Sequence, residues 1–136
     1  MPESHLVFES SGEWYAVPAV RASEIVTFPE LTRVPASKPH VLGVFAHRGE
    51  VIPVVALSTL RTGAEAPAPR RGVVLRADRG VCAVPAERVQ GVMDLDEPGP
   101  RLGAVGFLAV LRGPVQAREH KAAVIDLEAM LAFLSR

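Results

Sequence analysis

The residue types that most often carry chemistry are few in this chain, and they are not grouped. The four histidines, His5, His40, His47 and His120, have none of the spacings of a metal site, and none lies near Cys82 in the sequence. The chain contains no phosphate-binding P-loop, no dinucleotide-binding glycine pattern and no serine nucleophile elbow. The sequence therefore predicts no catalytic residue, no metal site and no cofactor, and hence a protein that is not an enzyme.

The remaining reactive side chains have ordinary interpretations. Cys82 lies in an apolar segment, which is typical of a small buried residue. Asp94 and Asp96 have strand spacing and would share one face, but beside a Pro-Gly turn they indicate a solvated rim. Glu24 and Arg48 are the one polar pair that we single out, and the alternative of two independent surface charges stays open at this stage.

The stretch 41–57, VLGVFAHRGEVIPVVAL, organises the chain. Two β-rich apolar segments flank Arg48-Gly49. Because glycine tolerates the positive φ that two-residue turns require, this spacing predicts a β-hairpin with Arg48 at its tip. A charge displayed on a stiff support favours a docking surface over an active site.

The rest of the chain shows short β-rich segments separated by turn residues. A first hairpin is expected over 6–17, a helix over 18–24, a helical turn at 57–60 and a loop over 112–120. A C-terminal helix capped by Asp126 is expected from the apolar spacing of its side chains. The strand candidates are residues 6–9, 14–17, 25–28, 31–34, 43–47, 50–56, 73–77, 81–84, 88–95, 104–111 and 122–125.

The Pro- and Ala-rich stretch 62–71, TGAEAPAPRR, is the clearest linker and splits the strands into two groups of about five. The pattern predicts an all-β fold of two small barrels within one domain of residues 1–136. The expected parts are a first barrel over 14–61, a second over 72–126 and a helix over 127–135, with terminal segments able to cross between barrels.

Composition narrows the partners and the compartment. Lys and Arg number 15, as do Asp and Glu, and only 5 % of residues are aromatic, which argues against a nucleic-acid or anionic membrane surface. We see neither a membrane-spanning apolar run nor a secretory signal, and the single cysteine fits a reducing compartment. The expectation is a cytoplasmic protein without direct membrane insertion, and a small-barrel nucleic-acid binder stays a remote alternative.

Five segments together resemble a known family. They are LVFESSGEWYAVPAVRASEIV, LTRVP, VLGVFAHRGEVIPVVAL, VVLRADRGVCAVPAERVQGVMDL and AVIDLEAML, in this order. They resemble the CheW-like domain of bacterial chemosensory systems, from about Leu6 to Leu131. The resemblance implies two five-stranded SH3-like barrels on a shared core. It also implies a non-enzymatic adaptor that couples chemoreceptor (methyl-accepting chemotaxis protein) signalling tips to the regulatory domain of a sensor histidine kinase or to another CheW-like protein.

The resemblance also implies two sets of contact residues. The receptor groove between the barrels would be lined by Val20, Ala22, Ser23, Val26, Arg71, Val73 and Val84. The kinase or partner interface would contain Glu24, His47, Arg48, Gly49 and Val55. Within the second set, the resemblance implies that Glu24 and Arg48 pair.

The chain departs from the family pattern at several of these positions. Ala46-His47 stands where the family has Asn-Leu, and Ala56 and Ser58 replace an acidic residue and an arginine. Residues 83–87, AVPAE, replace a Gly-Leu-Leu-Val-Asp pattern. An alternative is therefore a divergent adaptor that binds a receptor or another partner without a kinase, in a motility or sorting complex.

Overall fold

The computed structural model describes residues 2–135, so Met1 and Arg136, the ends of the predicted domain, lie outside the described residues. Within that range the protein is mostly β, as predicted, with ten strands and two short α-helices. The strands are β1 Glu3–Ser10, β2 Glu13–Pro18, β3 Ala22–Thr27, β4 Val41–His47, β5 Glu50–Val55, β6 Arg71–Ala77, β7 Gly80–Pro85, β8 Arg88–Leu95, β9 Leu111–Ala117 and β10 His120–Ile125. The helices are α1 Leu57–Thr62 and α2 Leu127–Leu134, with 3-10 turns at Ala19–Arg21 and Gly106–Val110.

The strands form two five-stranded sheets. The terminal sheet, built from both ends of the chain, has the order β8-β1-β2-β10-β9, and the central sheet has the order β3-β6-β7-β5-β4. The predicted division of the strands at the linker is therefore wrong, because β5 and β7 flank the linker and pair in parallel within one sheet. The expectation that terminal segments cross between barrels describes this topology better.

The hairpin turns predicted within 6–17 and at Arg48-Gly49 are both present, and they share one backbone conformation. At the β4–β5 turn both Arg48 and Gly49 have positive φ, 53° and 79°, as in a type I′ turn. Ser11 and Gly12 do the same at the β1–β2 turn, with 51° and 84°. The β6–β7 hairpin pairs Ala77 with Gly80 across its turn.

Four sequence expectations are wrong, each because pairing or packing overrides local pattern. The strand expected over 31–34 is only an isolated bridge between Thr32 and Val44. The predicted helix over 18–24 is a single 3-10 turn, since residues from Ala22 onward pair with β6. The apolar run 104–111 contains the 3-10 turn Gly106–Val110 rather than a strand, a choice that an apolar run cannot decide by itself. The expected loop over 112–120 contains most of β9.

A shared core lies between the two sheets, and each sheet also encloses a smaller core of its own. Phe8 and Tyr15 of the terminal sheet pack with Val73 and Leu75 of β6 in the shared core. The intervening Val74 is equally buried but belongs to the core of the central sheet. Successive strand residues point to opposite faces, so these assignments show that β6 is covered on both sides.

Helix α2 covers one end of the shared core. The Asp126 side chain accepts a hydrogen bond from the Ala129 backbone N–H (3.1 Å), which confirms the predicted cap. Leu127, Met130 and Leu131 are buried on the inner face of the helix. Neither α2 nor any other helix in the described part of the chain is long and apolar enough to cross a membrane.

Candidate functional site: a charged hairpin tip beside an apolar groove

The Glu24 carboxylate joins the two edge strands of the central sheet. Glu24 lies on β3, whereas His47 and Arg48 lie at the end of β4 and in its turn. His47 Nε2–H donates to Glu24 Oε1 (2.9 Å), and Arg48 Nη2 lies 3.5 Å from Glu24 Oε2. Because β3 and β4 are the outermost strands of this sheet, the cluster draws its edges together into a barrel. The implied Glu24–Arg48 pair is thus present, with His47 as a third member.

A second ion pair extends this surface. Arg76 of β6 holds the Glu50 carboxylate in a bidentate contact, with distances of 3.0 and 2.8 Å. We call the five side chains together the charged tip: Glu24, His47, Arg48, Glu50 and Arg76. The Arg48 side chain is 79 % exposed while Glu24 is 30 % exposed. The Arg48 guanidinium is therefore accessible to solvent, while Glu24, which it contacts, is held by the hydrogen bond from His47.

The surroundings lower the pKa values of both carboxylates of the charged tip, Glu24 and Glu50. The hydrogen bond from His47, and then the charge of Arg48, hold the pKa of Glu24 below its ordinary value despite some burial. The hydrogen bonds from Arg76 do the same for the pKa of Glu50. The result is a surface of alternating charge, which suits recognition of another protein.

An apolar groove lies beside the charged tip, between the two sheets. Its volume is about 230 Å³, and its walls come from β1, β3, β8 and the first 3-10 turn. Ile25 and Val92 both line it and remain 50 % and 58 % exposed. Glu24 lines the groove as well as the tip, so the two surfaces are continuous. We call this depression the inter-sheet groove; its lining residues are Leu6, Ala19, Ala22, Glu24, Ile25 and Val92.

Some residues expected in the receptor groove lie at or near the inter-sheet groove. Ala22 lines it directly. Val20, on the preceding 3-10 turn, is largely exposed. Ser23 is exposed on β3, where its hydroxyl lies 3.5 Å from the Val74 carbonyl. Arg71 is exposed but lines a different cleft, at the other end of β3.

For the other three residues expected in the receptor groove, the structure corrects the expected position. Val26, Val73 and Val84 are buried in the cores, and none of them lines the inter-sheet groove. The wall opposite β3 is formed instead by Leu6 and Val92, which sequence reasoning missed. The alternation of RVQGVMDL does signal that β8 has one open face, and Val92 lies on it.

The residues expected at the partner interface are brought together only in part. Glu24, His47, Arg48 and Gly49 come together, but Val55 is only 2 % exposed and belongs to the shared core. Its place in the expected interface is therefore wrong. Three residues were missed near the tip, namely Glu50, Arg76 and the exposed Val51.

The described residues that could have carried chemistry are placed otherwise. Cys82 is buried in β7, and burial raises the pKa of its thiol to about 12, so that it stays protonated at neutral pH. Asp94 accepts a hydrogen bond from the Ser4 hydroxyl (2.8 Å) on the surface. Between residues 2 and 135, no three histidine, cysteine or acidic side chains are arranged to hold a metal ion.

Comparisons with known proteins agree with the fold. The model of the CheW-like domain family matches residues 4–134. Among solved structures, the crystal structure of the scaffolding protein TtCheW from Thermoanaerobacter tengcongensis is similar, with a TM-score of 0.75 and 21 % identity over 92 % of this chain and 89 % of that chain. A direct search of curated proteins finds no match. The resemblance carried by the sequence motifs is confirmed, and the chain belongs to the CheW-like domain family.

Proposed function

We propose that this chain is a chemosensory adaptor that couples chemoreceptor signalling tips to a sensor histidine kinase in the cytoplasm. A receptor helical hairpin docks in the inter-sheet groove. The kinase regulatory domain, or another CheW-like domain, contacts the charged tip. Binding is the whole activity in this proposal, and no catalytic step is involved.

The observation that carries the proposal is the continuity of the two surfaces at Glu24. Ile25 and Val92 offer the apolar contacts that an amphipathic helix needs in a groove. The charged tip supplies complementary contacts that set register and exclude wrong partners. A receptor helix in the groove would lie against the same carboxylate that positions Arg48, so the two partners would meet at one residue.

Substitution of Val92 tests the receptor half of the proposal. Val92→Asp places a charge in the middle of the apolar groove, so capture of a receptor signalling-tip fragment should fall by about tenfold or more in a pull-down or titration, because an unpaired charge becomes desolvated. Val105→Asp is the matched control, since Val105 is also exposed but lies outside the groove. Equal capture by both variants would contradict docking in the groove.

A second candidate is an adaptor that binds a receptor but no kinase. It is favoured by the departures Ala46-His47 and Ser58, which alter the hairpin and the region after it relative to the family pattern. Co-purification separates the two candidates. Recovery of a receptor together with a kinase supports the coupling role, whereas recovery of a receptor with a motility or sorting component supports the second.

A further inference from the structure

The linker between α1 and β6 is held by a hydrogen bond at each end and forms one wall of a second cleft between the sheets. The Thr59 hydroxyl donates to the Ala64 carbonyl (2.7 Å), and Phe28 N–H donates to the Arg70 carbonyl (2.9 Å). The cleft under residues 66–70 has a volume of about 550 Å³, within the range of small-molecule sites. Its walls come from both sheets and from the linker, and none of the groove or charged-tip residues lines it.

The inside of this cleft combines small apolar side chains with side chains that carry hydroxyl groups. Alanine, leucine and proline side chains form most of the surface, among them Leu57 and Pro67. Ser10 also lines the cleft, and as a residue it is only 2 % exposed. A side-chain hydroxyl on the wall of a cleft can donate a hydrogen bond to a bound molecule or accept one from it.

The charge at the cleft is positive. Glu87 is already engaged, because its Oε1 accepts from the Ser11 N–H (2.8 Å). The Arg71 guanidinium donates to the Glu87 backbone carbonyl (2.8 Å), a neutral acceptor that leaves its charge uncompensated. Arg70 is exposed and also lines the cleft. Two guanidinium groups and one carboxylate therefore stand at this apolar cleft, which leaves an excess of positive charge.

We propose that this cleft binds a small organic anion, with an apolar body against the alanine and proline walls and its carboxylate, sulfonate or phosphate at Arg70 and Arg71. Ser10 supplies a buried hydrogen bond to the bound molecule. Because the walls belong to both sheets and the linker, the ligand braces them together. Binding to the folded state alone raises the melting temperature by linkage. The site is independent of the adaptor function proposed above.

The test uses the full chain and 8-anilinonaphthalene-1-sulfonate, which joins an aromatic body to one anionic group. We expect saturable fluorescence enhancement at one molecule per chain and a concentration-dependent rise in melting temperature. Arg70→Gln should weaken binding by about tenfold, since a charge-assisted contact is lost. Arg118→Gln, at an exposed arginine of the β9–β10 turn, is the matched control and should change nothing.

Three further measurements locate the probe. The neutral analogue N-phenyl-1-naphthylamine should bind more weakly, and Arg70→Gln should not affect it. Ser58→Phe fills the cleft from α1 and should abolish binding, whereas Val92→Asp in the inter-sheet groove should leave it intact. Non-saturable binding, indifference to Arg70→Gln, or loss of binding in Val92→Asp would each overturn the proposal. If Ser58→Phe fails to fold, the Arg70 variant and the neutral analogue still decide.

Discussion

Two hairpins of the central sheet contain the same local pattern, Ala-x-Arg-Gly, and use it differently. In AHRG the pair Arg48-Gly49 forms the turn itself, and both residues have positive φ. In ADRG the turn is Asp78-Arg79, and Gly80 is already the first residue of β7. A shift of one residue in register therefore separates the two arginines, although their sequence contexts are nearly the same.

The surroundings then give the two arginines different roles. Arg79 Nε lies 3.9 Å from Glu128 Oε1 of α2, and Arg21 bridges Asp78 and Glu128 at 3.6 Å each. This second tip is fastened to a helix of the same molecule. Arg48 is more exposed, and the carboxylate that it contacts belongs to the edge strand β3 of the same sheet. The comparison teaches that a turn motif fixes the backbone, while neighbouring elements decide whether its arginine is displayed or retained.

Charge reversal should separate the two tips most strongly. Arg48→Glu faces Glu24 with a like charge, and we expect capture of a kinase regulatory domain to fall by about tenfold or more, because like charges at an interface cost several kcal/mol. Since Arg48 is highly exposed, the melting temperature of the Arg48→Glu variant should be lower than that of the parent chain by no more than about 2 °C. Binding is measured by pull-down and calorimetric titration.

Arg79→Glu is the matched comparison for Arg48→Glu. It should leave capture unchanged and lower the free energy of unfolding by about 0.5 kcal/mol, because the contact with Glu128 turns repulsive on a partly exposed surface. If both variants lose capture equally, the charged tip has no special role in binding.

The two glycines give a smaller and purely conformational contrast. An added Cβ meets no atom within 4 Å at either Gly49 or Gly80, but only Gly49 has positive φ. Gly49→Ala should therefore cost about 1 kcal/mol of unfolding free energy through backbone strain. Gly80→Ala should stay within about 0.5 kcal/mol of the parent chain. Chemical denaturation measures both, and equal values would show that the two turns share one conformation in solution.

The smallest expected effect concerns the titration of Glu24. The pKa of Glu24 is lower in the folded state than in the unfolded state, where it is about 4.3. The interactions of the Glu24 carboxylate therefore stabilise the fold fully above the unfolded pKa. This stabilisation is lost as the pH falls through the folded pKa. His47→Ala should raise the pKa of Glu24 towards its ordinary value, as measured by carboxyl NMR. Glu50, held mainly by Arg76, should move less. An unchanged Glu24 pKa in this variant would mean that the His47 hydrogen bond is absent in solution.

How much could be predicted from the sequence depended on whether the signal was local. The Arg48-Gly49 turn and the Asp126 cap are local, and both were found. Glu24 reaches the hairpin tip because the central sheet curls until its two edge strands, β3 and β4, lie close together. Local sequence pattern does not show this closure, and only the family resemblance implied the contact.

The faces of buried strands could not be predicted in this way. Val73 and Val74 are both buried, on opposite sides of β6, so no polar residue marks which side faces a partner. This is why Val26, Val55, Val73 and Val84 were expected at surfaces although their side chains are buried. The composition of TGAEAPAPRR predicted a linker. The hydrogen bonds that hold this linker at both ends become visible only in the folded structure.

The order of the terminal sheet has a consequence for how the chain folds. All strands of the central sheet lie between residues 22 and 85, whereas the parallel pair Trp14–Ala122 joins β2 to β10 across about a hundred positions of sequence. Closing so long a loop is entropically costly and slow. During synthesis on the ribosome, the central sheet can form while β2 still waits for its partner. Pulsed hydrogen exchange during refolding should therefore protect β6 and β7 amides before those of β10, and simultaneous protection would show that both sheets form in one step.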